Sequence, residues 1–137
     1  MFVLDTNVVS ELRKAGKADR RVVAWANAMP AADLFLSAIT ILELELGVLL
    51  AERRDRAHRT ALRRWLNDQV LPAFADRVLS VDVEVAQRCA QLHVPDRMAD
   101  RDALIAATAL IHGMTVATRN TADFARSGVR LIDPWEN

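Results

Sequence analysis

Five short apolar runs punctuate the chain: FVL (2–4), LFLS (34–37), RVLSV (77–81), TVAT (115–118) and VRLI (129–132). They are continuous and rich in β-branched residues rather than alternating, the pattern of strands buried on both faces. The stretches between them have helical character. Strands joined through helices cannot close as hairpins and require right-handed parallel crossovers. This spacing predicts an α/β sandwich around a central, mainly parallel sheet of roughly five strands.

The helical stretches carry their own punctuation. Asn7 to about Arg13 reads as a helix broken by AGK (15–17), and Asp19 caps DRRVVAWANAM, which ends before Pro30. ITILELELGVLLAERR forms a long helix from Thr40, and RAHRTALRRWLNDQVL a second that runs until Pro72. Asp82 caps VEVAQRCAQL, Asp100 opens RDALIAATALIHG with Gly113 as its stop, and TADFAR is a short helix.

At 137 residues, 52% hydrophobic and 26% charged, the chain fits one soluble domain over 1–137. No apolar run reaches the roughly 18–20 residues of a membrane span. Asp5 and Glu11 interrupt any signal-peptide pattern, so a cytoplasmic protein without membrane partners is expected. Cys89 is the sole cysteine, and His58, His93 and His112 lie far apart and share no ligand spacing with it. Zinc is not expected. A metal would be held by oxygen, which selects a hard ion such as Mg²⁺ or Mn²⁺.

Formal net charge is zero, but its distribution is uneven. Lys14 and Lys17 are the only lysines, so sixteen of the eighteen basic residues are arginine, and six crowd into LLAERRDRAHRTALRRW. That run reads as a solvated helix face with Glu52/Arg56 and Asp55/Arg59 as i,i+4 pairs, or as a guide for phosphates. ILELELGVLL leaves little of its helix polar and should be buried on more than one side, through a homodimer or a partner's groove. Trp25, Trp65, Trp135 and Cys89 read as core or interface residues.

Four acids stand out against this outline. Asp5 ends the first strand, Glu43 lies in the first turn after the second, Asp123 follows the fourth, and Asp102 opens RDALIAATAL. Loops after parallel strands gather at one edge of the sheet, which predicts that Asp5, Glu43 and Asp123 converge. Asp102 is placed less directly, because its helix follows another helix. Singly, each acid also reads as a cap, with Thr40-x-x-Glu43 and Asn120-x-x-Asp123 in capping-box form. Together, close carboxylates repel by roughly 1–4 kcal/mol per pair, a cost that a cation removes.

These residues resemble a known family. VLDTNVVSEL, SAITILELELG, DALIAATAL and TVATRNTADF occur in the order found in the PIN-domain nucleases, in particular VapC-type toxins of type II toxin–antitoxin modules and their FitB-like branch. The resemblance spans essentially the whole chain. It implies a compact three-layer α/β/α fold and Mg²⁺- or Mn²⁺-dependent cleavage of RNA. Carried over by position, the acidic quartet falls on Asp5, Glu43, Asp102 and Asp123, with Asp5 and Asp102 as direct metal ligands. Glu43 would act through water or as the base, and Asp123 would orient a water or complete a second metal site. Thr6 and Asn7 follow the first acid, Thr118 and Asn120 support the last, and Asp100 is a cap or outer ligand. A cognate antitoxin, an RNA substrate and a homodimer are the implied partners. The alternative is a non-catalytic interaction module on the same fold. A haloacid-dehalogenase-type phosphatase would want an acid where Asn7 stands, and the scattered glycines make no phosphate loop.

Overall fold

The computed structural model describes residues 1–14 and 16–136, with residues 56–59 described by their backbone alone. Ala15 of the AGK break and the Arg56 and Arg59 side chains of the expected Glu52/Arg56 and Asp55/Arg59 pairs therefore lie outside the described residues.

Strand β1 (Phe2–Leu4) leads into α1 (Thr6–Leu12) and α2 (Arg20–Ala28). Strand β2 (Leu34–Ser37) leads directly into α3 (Ala38–Glu52), followed by α4 (Arg56–Arg64), a π-helical segment (Trp65–Val70) and α5 (Leu71–Ala73). After β3 (Val78–Leu79) come α6 (Val83–Leu92) and α7 (Asp100–His112), and β4 (Thr115–Ala117), α8 (Thr121–Phe124) and β5 (Leu131–Ile132) complete the order. All strand pairs are parallel, in the order β3-β2-β1-β4-β5, so the α/β expectation holds. The edge strands β3 and β5 pair over two residues each, less than their apolar runs suggest, because each has a neighbour on one side only.

Helices cover both faces. Leu4, Val8, Val22, Trp25, Leu36, Leu44, Val48 and Leu66 form the core on one side. Val3, Ile105, Ala106, Val116 and Phe124 form it on the other, with Val85, Cys89 and Ala103 joining α6 to α7. The alternation of Val3 and Leu4 between the two cores is the two-residue period of a strand.

Several boundaries differ from the sequence reading. Helix α3 starts at Ala38 because the Ser37 hydroxyl caps it, accepting from the Ile39 N–H at 3.0 Å. Thr40 is buried and reaches the Leu4 carbonyl at 3.5 Å, so the expected Thr40/Glu43 box does not form and Glu43 lies beyond the first turn. Pro72 is inside α5 rather than beyond it, at a first-turn position where its missing N–H is not needed. The largest departure is on α3. Leu44, Val48 and Ala51 are buried, but Leu42, Leu46, Leu49 and Leu50 are 36–49% exposed. The chain covers this helix on one side only, since its neighbour α4 is tied to it elsewhere, by Arg63 bridging Glu45 and Glu52. Trp25 and Trp135 are buried, and Trp65 packs partly buried against the same core. Among the described residues no helix is long and apolar enough to cross a membrane.

Gly113 ends α7 in the left-handed region at φ 68°, which lets the Met114 N–H return to the Ala109 carbonyl at 2.9 Å and turns the chain into β4. A Cβ there would meet no atom within 4 Å, so the backbone alone disfavours a side chain. Gly113→Ala is expected to lower stability by about 1 kcal/mol and Tm by a few degrees, read by thermal melts.

Candidate active site

With β1 central, the chain winds first toward β2 and β3 and later crosses to β4 and β5. The switch in direction lies between β1 and β4, whose carboxyl ends leave a crevice where open parallel sheets bind ligands. Asp5 and Thr118 are the first residues past these two strands. The strand register continues through them: the Asp5 N–H donates to the Ala117 carbonyl at 2.9 Å, and the Thr118 hydroxyl donates to Asp5 Oδ2 at 2.7 Å.

Asp5 is buried and is also the N-cap of α1, its Oδ1 accepting from the Thr6 N–H at 2.8 Å. Asn7 Nδ2 reaches both Asp5 Oδ2 and Thr118 Oγ1 at 3.4 Å. The Thr6 hydroxyl donates to Glu43 Oε1 at 2.7 Å, joining α1 to α3. Thr118 and Asn120 thus work differently from the sequence reading. Thr118 holds Asp5, the first acid, because the register puts it opposite Asp5, and Asn120 contributes its backbone N–H to Thr118 Oγ1 at 3.0 Å. No Asn120 side-chain cap forms, so the second expected capping box is also absent.

Helix α7 runs back toward the start of β4, so its own N-terminus lies at the carboxyl edge of the sheet. That antiparallel course carries Asp102 into the cluster. Burial, then the Asp5, Asp123 and Glu43 carboxylates, push the Asp102 carboxyl up to about 6. Burial also raises Asp5, with Glu43 and Asp123 adding to it and the Thr118 and Thr6 donors opposing it. Glu43 and Asp123 therefore act on both Asp5 and Asp102, and Asp5 acts on Asp102. Among the described residues, no three of them stand close enough to hold an ion as a ready-made cage. Asp102 makes no hydrogen bond or ion pair to the described residues.

Other residues divide cleanly. Asp100 is not the cap of α7: Ala99 is the N-cap, and Asp100 pairs with Arg97 at 3.1 Å on the side of α6. Arg101, unnoticed in the sequence, lies 3.8 Å from Glu43 Oε2. Its adjacency to Asp102 at a helix start was the available signal. Arg119 lies over the Trp135 ring, 5.3 Å from its centroid. Cys89 and His93, expected to be unrelated, are one turn apart on α6 with Sγ and Nε2 separated by 3.8 Å. Burial raises the Cys89 thiol, which disfavours the thiolate that a metal needs. His58 lies outside the described side chains.

The donor set is oxygen throughout. Mg²⁺ takes one or two carboxylates directly and keeps several waters, so a pair of acids that raise one another's cost fits it better than a closed cage would.

Comparison with known proteins agrees with this architecture. The PIN domain family matches residues 2–129. The VapC ribonuclease Y4jK of Sinorhizobium fredii is 44% identical over 141 residues, 99% of either chain. Toxin FitB of Neisseria gonorrhoeae is 39% identical over 142 residues, the full length of both. The crystal structure of FitAcB from Neisseria gonorrhoeae matches with a TM-score of 0.91 at 39% identity, again over 100% of both chains.

The electrostatics of the crevice can be checked directly. Asp102 titrates near 6 in the folded chain and near 3.9 unfolded, so the folded state holds more protons between those values. Stability associated with the neutral carboxyl is present below pH 4 and lost as pH rises through 6. Asp102→Asn stays neutral throughout. In chelator, its thermal melts should exceed the parent's stability by about 1–2 kcal/mol at pH 8, with the difference gone at pH 4. A difference independent of pH would refute the repulsion.

Proposed function

The chain belongs to the PIN domain family, and on that premise we propose that it is a metal-dependent endoribonuclease, the toxin of a type II toxin–antitoxin module. The reaction is Mg²⁺- or Mn²⁺-assisted hydrolysis of RNA phosphodiester bonds. The observation that carries this reading is the state of Asp102. Its partly buried carboxylate lacks a counter-charge among the described residues and is pressed toward neutrality by burial first and then by three other acids. Such an arrangement is costly unless a cation is part of the working protein.

Asp5 and Asp102 are the direct ligands in this scheme. Bound there, the ion would supply charge for the phosphate oxygens and a water that deprotonates more readily. The protein's own groups do the positioning. Thr118 Oγ1 and Asn7 Nδ2 hold Asp5 Oδ2, and the Thr6 N–H holds Oδ1, which keeps a free lone-pair direction. Glu43, anchored through Oε1 to Thr6, presents Oε2 to the crevice as the acceptor for the proton of the attacking water. Arg101 beside it limits the negative charge that an incoming phosphate meets. Asp123, exposed at the rim, orients water or supports a second ion.

The similarity to a protein named toxin supports an antitoxin as partner. The uncovered Leu42, Leu46, Leu49 and Leu50 face suits a homodimer formed through α3. Replacing Leu46 by Glu should convert a sedimenting dimer into a monomer at micromolar concentration. A monomeric parent would remove the homodimer.

Cleavage of RNA should stop in chelator and return with Mg²⁺ or Mn²⁺ but not Ca²⁺. Asp5→Asn and Asp102→Asn should stay folded and lose roughly 10²–10³-fold in rate or more, while Thr118→Val should weaken metal binding about 10–100-fold. Activity that survives exhaustive chelation, or that Asp5→Asn retains, would leave the interaction-module reading in its place.

A further inference from the structure

A cleft of about 190 Å³ opens beside the acids, with Thr6 and Glu43 at one end and Arg13 and Trp65 at the other. Three features distinguish it from a packing gap. Thr6 and Ser10 of α1 and its C-cap Arg13 stand at i, i+4 and i+7, so one side of the helix, about 10 Å of backbone rise, leads from the acids to Arg13. Arg13 is held 5.8 Å from the Trp65 ring centroid and has no carboxylate partner among the described residues. It is a partly buried cation in a cleft whose lining carries one acid, Glu43.

The third feature is Gly47. It lies one turn beyond Glu43 in the interior of α3, where glycine costs about 1 kcal/mol relative to alanine. Its φ is not positive, and a Cβ at this position would meet no atom of the chain within 4 Å. Neither backbone conformation nor internal packing therefore requires glycine. The space it leaves lies in the cleft wall. The volume is below the roughly 300–1,000 Å³ of pockets that take drug-sized ligands, which suits one ring system better than a peptide segment.

We propose that this cleft is a subsite for the nucleotide next to the scissile phosphate, whose base enters the space at Gly47 and whose phosphate pairs with Arg13. The inference rests on the ribonuclease reading above and adds what sets its sequence preference. Ser10, midway along the α1 face, offers a hydroxyl to the base edge or ribose.

The test uses the full chain with Mn²⁺ on two substrates, a single-stranded RNA of random sequence and bis(p-nitrophenyl) phosphate, which has no base. Product 5′ ends are sequenced. The wild type should show a base preference at one position beside the cut. Gly47→Leu, a better helix former in open space, should fold and should lose or change that preference. Its ratio of RNA to diester cleavage should fall about tenfold, as for one lost base contact. Arg13→Gln, in an Asp5→Asn background, should bind fluorescent RNA more weakly, with a salt slope smaller by about one. Gly47→Leu with the parent's preference and ratio would overturn the subsite. So would loss of protein-partner binding with RNA cleavage intact, which would give the cleft to that partner. If the wild type cleaves neither substrate, the ribonuclease reading falls, and the subsite with it.

Discussion

The hydrogen bond from Thr118 Oγ1 to Asp5 Oδ2, 2.7 Å long, is the point on which the rest of the architecture turns. It exists because β1 and β4 pair in parallel with Phe2 opposite Thr115, Val3 opposite Val116 and Leu4 opposite Ala117. One more step along that register sets Asp5 opposite Thr118. Side chains alternate along a strand, so Asp5 shares a face with Val3, and Thr118 with Val116. That face is the one packed by Ile105 and Ala106 of α7. A slip of one residue would send Asp5 toward α2 and Trp25, away from Asp102. The packing of apolar valines thus decides where a carboxylate goes.

The cap and the site are not competing explanations of Asp5. The same carboxylate caps α1 and stands at the centre of the acidic crevice. A helix N-terminus and a hydroxyl donor both favour its charged form, while burial and two neighbouring acids oppose it. Asp102 lacks such donors among the described residues, and its shift to about 6 is the larger consequence. Two acids of one cluster are therefore tuned differently by their local backbone. One is held in place, and the other is left with unmet charge.

How much of this was legible in the sequence depends on the range of the interaction. Strands β1 and β2 were readable to the residue because central strands are continuous apolar runs, while the edges, paired on one side, were overextended. Asp5, Glu43 and Asp123 were legible as positions at strand ends. Asp102 was obscured because α6 and α7 form a double-helix crossover, and only the direction of α7 relative to β4 restores it. The resemblance set Thr118 beside the last acid, Asp123, whereas sheet pairing spans 113 residues to bring its hydroxyl to Asp5. Arg101 went unnoticed because its approach to Glu43 depends on how α7 meets α3, and its place next to Asp102 was the one local signal. Cys89 and His93 were overlooked because a four-residue gap was not read on a helix, where it becomes adjacency.

Helix α3 looked simply apolar because four different faces are interleaved along it. Thr40, Leu44, Val48 and Ala51 face the core. Glu45 and Glu52 meet Arg63 of α4, and Leu42, Leu46, Leu49 and Leu50 face outward. Glu43 and Gly47 line the cleft. At 100° per residue these sets occupy successive sectors of one circumference. Summed over the helix they nearly cancel, so no polar stripe was visible to a periodicity argument. The same geometry relates their consequences. The outward leucines lie across the helix axis from the core, and Leu46 and Leu50 border the cleft sector as i+3 neighbours of Glu43 and Gly47. The cleft sector borders the core, so its shape depends on how firmly Leu44 and Val48 are packed. Association and chemistry therefore use adjoining sectors of one helix, and core packing constrains the chemistry.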